Sequence, residues 1–571
     1  LYAIHITKFF TTFSYLIVTI YRIRGSIMSR AGILASNFPL TNIQRLISLY
    51  YEVTPNLSDP LNAVVFGTSG HRGSPNNGSY TQSHIAAITQ AIADLRKEWQ
   101  ITGPLFIGMD THALSEPALH TALEVLCANG VETVVANDFA YTPTPVISRE
   151  IVRHNFGRKD NLADGIIITP SHNPPHDGGF KYNPPLGGPA SPFYTKPIAD
   201  RANAILQNGN KEVKQLSWQE TLQSPNLHFK DMMTPFVDEL KNVINLKAIK
   251  ESKLKIAVNP QGGASLDYWD RIIEKYGIDV TIINRKIDPT FSFIPFDYDD
   301  NIRMDCMSPY TMKPLVAVKD DYDLCIANDP DADRHGLVTR EGLLNSNHYL
   351  SSIMHYLCHN RPNWPKNAGV GKTIGATIMM DKIITDAGYK VYETPIGFKW
   401  FSEGLFKQEL VFGCEESAGA SYLDLNGCPF TTDKDGFLAG LIGAELCAVS
   451  GLDLVSYYRK LTEKFGDPYY GRIDEITTPE GKKAFVNLTE KSVTQDTLAG
   501  QKILKVMTKA PGNNAEIGGI KVLADNCWFS ARPSGTENIY KIYYESFLGQ
   551  DHLIKVKEDA VNIVNQAIKH N

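Results

Sequence analysis

Three times along the chain, a short apolar run of the kind that fills a buried strand stops abruptly at a polar loop punctuated by Gly or Pro. Gly165–Thr169 runs into Pro170-Ser171-His172-Asn173, Leu324–Ala327 into Asn328-Asp329-Pro330-Asp331, and Leu410–Phe412 into Gly413-Cys414-Glu415-Glu416-Ser417. In open α/β sheets, ligands bind beyond the carboxyl ends of the strands. Three such loops, far apart in sequence, predict three α/β domains facing one cleft. The intervening periodicity agrees. Thr41–Tyr51 reads as a short helix, and His84–Trp99 as a clearer one, with Ile85, Ile88, Ala91, Ile92, Leu95 and Trp99 on one face. Leu105–Met109, Glu116–Ala128 and Val131–Ala136 then alternate as strand, helix and strand, the rhythm of a parallel sheet.

The last hundred residues differ. Lys521–Leu523, Trp528–Ala531 and Ile539–Tyr544 read as strands, and His552–Ile568 as a closing helix, so a smaller α+β domain is expected. A chain of 571 residues exceeds what one core organises. The expected division is 28–230, 231–341, 342–460 and 461–571. Residues 1–27 stand apart. The sequence begins with Leu1, and Phe9–Tyr21 is mostly apolar between Lys8 and Arg22 and Arg24. That stretch is too short to span a bilayer comfortably and lacks a clear small-residue cleavage site. We expect Met28 to be the start and residues 1–27 to be non-native upstream sequence.

The net charge is −6 with no basic block, which argues against nucleic acid as a partner. A substrate phosphate must then be met by a few placed cations. The eight cysteines are scattered without a C-x-x-C pair. This argues against a zinc site and a disulfide framework, and fits a reducing cytoplasm.

Among the motifs, Asp329-Pro330-Asp331-Ala332-Asp333-Arg334 constrains chemistry most. Three carboxylates at alternate positions repel one another without a cation. The run imitates the start of a calcium EF-hand, but Arg334 stands where Gly is needed and Arg340 where the bidentate Glu is needed. Mg2+ prefers few carboxylates plus phosphate oxygens, so a phosphate is the natural missing ligand. Ser171, held between Pro170 and Pro174-Pro175, is expected on an exposed, stiff loop suited to carrying a phosphoryl group. By itself a serine in such a turn is ordinary. Lys181 follows a Gly turn and is a candidate to neutralise phosphate or relay a proton; otherwise it is a solvated lysine. Phe66–Gly73, with Thr68, Ser69 and Arg72, offers a Gly-spaced loop with a guanidinium. Glu415 and Ser417 offer acceptors for sugar hydroxyls. Arg532, Ser534, Gly535 and Thr536 have the make-up of a phosphate nest. Gly369-Val370-Gly371-Lys372-Thr373 ends like a Walker A loop but has Lys366 where the first Gly belongs.

Together these motifs resemble the α-D-phosphohexomutase superfamily, and its bacterial phosphoglucomutase branch in particular. The resembling pieces are FGTSGHRGS (66–74), TPSHNPPHDGGFKYNPP (169–185), NDPDADRHG (328–336), PIGFKWF (395–401), CEESAGAS (414–421) and RPSGTENIYKIYYESF (532–547), in the family's order from about Asn37 onward. The resemblance implies four domains around a central cleft. It implies a phosphoserine at Ser171 and Mg2+ held by Asp329, Asp331, Asp333 and the serine phosphate. Glu415 and Ser417 fall in the sugar-binding loop, and Arg532, Ser534, Gly535 and Thr536 in the phosphate-binding loop. Arg72, His172, Lys181, Arg334 and Lys434 fall where the family places catalytic or phosphate-contacting groups. The implied activity is that of an isomerase interconverting α-D-glucose 1-phosphate and glucose 6-phosphate through glucose 1,6-bisphosphate. The partners are a hexose phosphate, with no membrane and a monomer or homodimer. Either His172 or Lys181 is the proton acceptor. Alternatives are a mannose- or glucosamine-phosphate mutase, a Mg2+-dependent phosphatase, and a binding protein. Cys414 departs from the family, which has Gly before the Glu; a positive φ there would strain the loop by about 1–2 kcal/mol.

Overall fold

The computed structural model describes residues 29–67, 70–533 and 539–569. The expectations for residues 1–28, Thr68, Ser69, Ser534, Gly535 and Thr536 lie outside them.

Four sheets organise the chain, and the first three share a plan. Parallel strands form the interior, and an antiparallel strand returns beside the one that carries the functional loop. In the first sheet, Leu105–Met109 lies parallel to both Thr133–Ala136 and Asp164–Ile168. Gly178–Asn183 then pairs antiparallel with Asp164–Ile168, and His71–Gly73 pairs antiparallel with Gly178–Asn183. In the second, Ile256–Asn259 lies parallel to Val280–Ile282 and Leu324–Asn328, and His335–Thr339 returns antiparallel. In the third, Gly369–Thr373 lies parallel to Lys390–Thr394 and Leu410–Glu415, and Gly419–Tyr422 returns antiparallel. The expected parallel sheets are therefore mixed. The polar loops close hairpins rather than lead into crossover helices, which anchors both ends of each loop on paired backbone.

The fourth sheet is wholly antiparallel, with helices Pro479–Val486 and Gln550–Lys569 packed against it. Its strands Cys527–Pro533 and Ile539–Ser546 also pair as neighbours, from Cys527 against Ser546 to Pro533 against Tyr540. The fourth functional loop thus lies between two paired strands as well. The Walker-like segment Gly369–Thr373 is simply an interior strand, and its Lys372 is buried against Asp381 and Glu393.

Helix Gly436–Ser450 ties the second and third sheets together. It is apolar around its circumference and buried from Gly436 to Leu446, as a helix with no solvent face must be. Asp435 caps it by accepting from Leu438 N at 3.0 Å, and Gly436 N donates to Ala332 O at 2.9 Å. The helix start is thereby docked onto the Asp329–Arg334 loop. A Cβ on Gly436 would sit 2.4 Å from Arg334 O and 2.8 Å from Ala332 O, so only glycine permits this approach. Among the described residues no single helix is long and apolar enough to cross a membrane; the bent pair Gly436–Ser450 and Leu454–Phe465 has the requisite apolarity, but the first of the two is a core helix.

Gly436→Ala is expected to destabilise the fold by about 1–3 kcal/mol, as overpacking against backbone does. The measurement is a lowered Tm in thermal unfolding; a wild-type Tm would show that the docking is loose.

Candidate active site

Ser171 does not sit on an exposed loop as expected: it is 1% accessible. Hairpin closure pulls its loop down between the first and second sheets, so the hydroxyl opens only into the cleft. Its backbone adopts φ +63°, a left-handed conformation that Ala332 (φ +54°) and Ala418 (φ +66°) repeat in the other two loops. Such conformations cost a non-glycine residue on the order of 1 kcal/mol each and persist only where the surroundings impose them.

The constraint on Ser171 comes through Thr169 from residues the motifs do not include, Asp110, His112 and Ser115. Ser171 N donates to Thr169 Oγ1 at 2.8 Å, and Thr169 Oγ1 donates to Asp110 Oδ2 at 2.6 Å. Asp110 also accepts from Ser115 Oγ at 2.6 Å and pairs with His112 Nδ1 at 2.8 Å. The other ring nitrogen of His112 meets Asn173 O at 3.0 Å, which closes the frame around the loop. Burial opposes charge on this pair, yet each partner holds the other ionised, with Asp110 below and His112 above their ordinary ranges. A sequence signal for the frame exists: Asp110-Thr111-His112 follows strand Leu105–Met109 directly, at the strand end where loops of this sheet converge.

Asp329, Asp331 and Asp333 are all buried, with one carboxylate oxygen from each within 4.8 Å of the others. Ser171 Oγ donates to Asp329 Oδ2 at 2.9 Å. Lys181, read alternatively as a solvated lysine, is buried and donates to Asp331 Oδ2 at 2.6 Å and Asp333 Oδ2 at 2.9 Å. Lys434 approaches Asp333 Oδ2 at 3.2 Å, and Thr144 Oγ1, not anticipated from sequence, donates to Asp331 Oδ2 at 2.6 Å. Burial and the two neighbouring carboxylates push Asp329 well above the usual range. Against burial, Lys181, Lys434 and Arg334 hold Asp333 far below it. The Oδ1 atoms of Asp331 and Asp333 are buried without a hydrogen-bond donor. Three hard oxygen ligands within reach of one another, with acceptors left without a hydrogen bond, fit Mg2+.

His172 places Nδ1 3.3 Å from Ser171 Oγ. Burial, then Arg334, Arg72 and Arg303, push its imidazole well below the ordinary range, so it is neutral at pH 7. Glu415 is buried, and burial raises it while Lys434 pulls it down. The condition for strain at Cys414 is not met: it is not among the positive-φ residues and lies inside strand Leu410–Glu415, paired with Lys372 and Ala420. The turn is made at Ala418 instead.

These groups meet in one cleft of about 310 Å³, lined by Arg72, Ser171, His172, Asp333, Arg334, Glu415, Ser417, Lys434 and Arg532. All four sheets contribute. Arg303, Arg472, Lys541 and Tyr543 join the wall without having been read from sequence. Among the described residues, Arg532 Nε is buried without a hydrogen-bond acceptor, as a donor awaiting an anion would be, and Arg334 Nε reaches only Asp333 Oδ1, at 3.9 Å. Volume alone does not pick the site: a hollow of about 720 Å³ near Lys241, Tyr276 and Arg361 is lined by none of these loops.

Sequence comparison agrees with this architecture. Family models described as phosphoglucomutase/phosphomannomutase alpha/beta/alpha domains I, II and III match residues 63–209, 234–342 and 345–465. A phosphoglucomutase of Komagataeibacter xylinus is 49% identical over 527 residues, covering 92% of this chain and 95% of its own. A phosphoglucomutase/phosphomannomutase of Thermococcus kodakarensis is 24% identical over 88% of this chain and 99% of its own. In structure, parafusin, a phosphoglucomutase of Paramecium, superposes with a TM-score of 0.70 at 19% identity over 88% of this chain and 95% of its own. A phosphoglucomutase/phosphomannomutase family protein from Burkholderia thailandensis gives a TM-score of 0.65 at 17% identity over 88% and 97%. The chain belongs to the phosphoglucomutase/phosphomannomutase family of phosphohexose-interconverting enzymes.

Thr169→Val removes both the donor to Asp110 and the acceptor for Ser171 N while keeping side-chain volume. We expect kcat to fall at least tenfold with KM nearly unchanged, as loss of aim rather than of binding would produce. Steady-state kinetics check it; a selective rise in KM would contradict the positioning role.

Proposed function

We propose that this chain interconverts α-D-glucose 1-phosphate and glucose 6-phosphate, with Ser171 as the phosphoryl carrier. The observation that carries the reading is the convergence of a buried serine hydroxyl, a carboxylate triad and a separate arginine in one cleft. A hexose phosphate bears one phosphate and one free hydroxyl at its two ends. Such a cleft suits it by treating the ends differently.

Ser171 starts as phosphoserine. The sugar O6 attacks its phosphorus, the P–Oγ bond breaks, and glucose 1,6-bisphosphate results. The bisphosphate turns end for end and Ser171 Oγ takes back the phosphoryl group from O1. The proton released by the attacking hydroxyl needs an acceptor. Against burial, Asp331 and Asp333 raise Lys181 above its ordinary range and hold it as an ammonium, which has no lone pair to offer, whereas neutral His172 lies beside Ser171 Oγ. His172 is therefore assigned as the acceptor. Asp329, Asp331 and Asp333 would hold Mg2+, which when bound supplies positive charge against the transferring phosphoryl group. Arg334 adds a guanidinium on the same side, and Arg532, with Ser534, Gly535 and Thr536 of its loop, is assigned to the resting phosphate. Glu415 and Ser417 accept from sugar hydroxyls in either orientation.

Ser171→Ala is expected to abolish turnover and the phosphorylated form seen by intact-mass spectrometry; near-normal turnover would end the carrier assignment. Arg532→Gln should raise KM for glucose 1-phosphate at least tenfold with a smaller change in kcat, while substitution of a true transition-state contact would lower kcat instead. Parallel assays with mannose 1-phosphate test the glucose assignment, and phosphate release without isomerisation would mark a phosphatase.

A further inference from the structure

Among the described residues, the proposed reaction leaves one group of three ligating side chains unused. His355 and His359 lie four residues apart on helix Ser346–Asn360, which places them on one face. Asp386, the last residue of helix Met379–Asp386, stands across from them. One ligating atom from each of the three lies within 4.8 Å of the others. The imidazole centroids are 4.3 Å apart.

The surroundings of the two rings decide which nitrogen is offered. His359 Nδ1 lies 2.8 Å from His355 O. A carbonyl only accepts, so Nδ1 carries the proton and the lone pair is left on Nε2. His355 Nδ1 lies 2.8 Å from Tyr457 OH, on helix Leu454–Phe465; this contact occupies Nδ1, and with the hydroxyl accepting, Nε2 keeps the lone pair for an ion. This is how metal-binding histidines are commonly held: one ring nitrogen is fixed by a hydrogen bond and the other faces the ion. Asp386 pairs through Oδ2 with exposed Lys464 at 2.7 Å. Such a pair at the surface holds weakly, so it yields readily to a cation.

We propose that His355, His359 and Asp386 form a second metal site, selective for a borderline transition ion such as Zn2+ and distinct from the Mg2+ triad. Two imidazoles and a carboxylate match the ligand preference of Zn2+, Cu2+ and Ni2+, while the all-oxygen triad suits Mg2+. His359 and Asp386 are exposed, so a water completes the coordination. The scattered cysteines argue against zinc in the sequence only as far as thiol ligands go. Here the ligands come from two helices, with Tyr457 of a third behind them. An ion would clamp helix Ser346–Asn360 to helix Met379–Asp386. The first of these also holds the Glu415–Ser417 loop, since Ser346 Oγ donates to Glu416 O.

The test uses the full chain stripped of metal with a chelator and returned to chelator-free buffer. Zn2+ binding is counted by equilibrium dialysis for the wild type, His359→Gln and Asp331→Asn. The Cu2+-loaded forms are compared by electron paramagnetic resonance. His359→Gln is expected to lose one equivalent of tightly bound Zn2+ that Asp331→Asn retains. Coupling to two ring nitrogens is expected in the wild type and in Asp331→Asn, reduced to one in His359→Gln. Metal-free Tm should match between the wild type and His359→Gln, and only the wild type should gain Tm from this equivalent. With Mg2+ alone, His359→Gln should turn over at the wild-type rate. Equal Zn2+ stoichiometry in the wild type and His359→Gln, or oxygen-only coupling in the wild type, would overturn the site.

Discussion

The structure turns on a buried electrostatic knot. Three aspartates of one hairpin loop are enclosed away from water and held by Lys181 from the first sheet's returning strand and Lys434 from the segment before the central helix. Neither set of charges is tolerable alone, since an isolated charge in a protein interior carries a penalty of several kcal/mol. Together they join groups from three sheets, so the first three domains come into register around one point. Arg334 N satisfies Asp329 Oδ1 and Thr144 adds a second donor to Asp331 Oδ2, while the Oδ1 atoms of Asp331 and Asp333, left without a hydrogen bond, fit the proposed Mg2+.

Ser171 inherits its precision from this knot and from the frame behind it. The Asp110–His112–Thr169 cluster fixes the loop from one side, and Asp329 receives the hydroxyl from the other. In the carrier role proposed for Ser171, burial of this kind shields the side chain from bulk water, which matters because the alternative fate of a phosphoserine is hydrolysis. The same hairpin device recurs at each functional loop. Pairing on both flanks lets Ser171, Ala332 and Ala418 hold left-handed backbone that a free loop would relax. It also explains why Cys414 is harmless: it sits on the paired flank, where any residue that fits the buried space is acceptable.

The strands, helices and loop identities are legible because their signals are local. Leu105–Met109 is a strand at the bounds read from periodicity, and the closing helix Gln550–Lys569 contains the predicted His552–Ile568. The metal loop is legible because three like charges at alternate positions have few uses without a cation. Arg303 and Arg472 are not, because each belongs to a segment with no distinctive local pattern and reaches the cleft only through domain packing; Lys541 lies within the quoted motif 532–547, but nothing local marks it out from its neighbours. The burial of Ser171 escapes the sequence for the same reason: a Pro-rich turn looks solvated until the second sheet covers it.

The sequence by itself determined the local grammar: which apolar segments form the interior strands, where each loop falls, and which residues carry charge, hydroxyl or carboxylate at the loop tips. Only the tertiary structure decided how those groups divide the work. It buried Lys181 against two carboxylates, set His172 beside Ser171, framed the loop with Asp110 and His112, and brought His355, His359 and Asp386 together. Protonation, reach and shielding depend on neighbours contributed by distant segments, and such neighbours exist only once the sheets have packed.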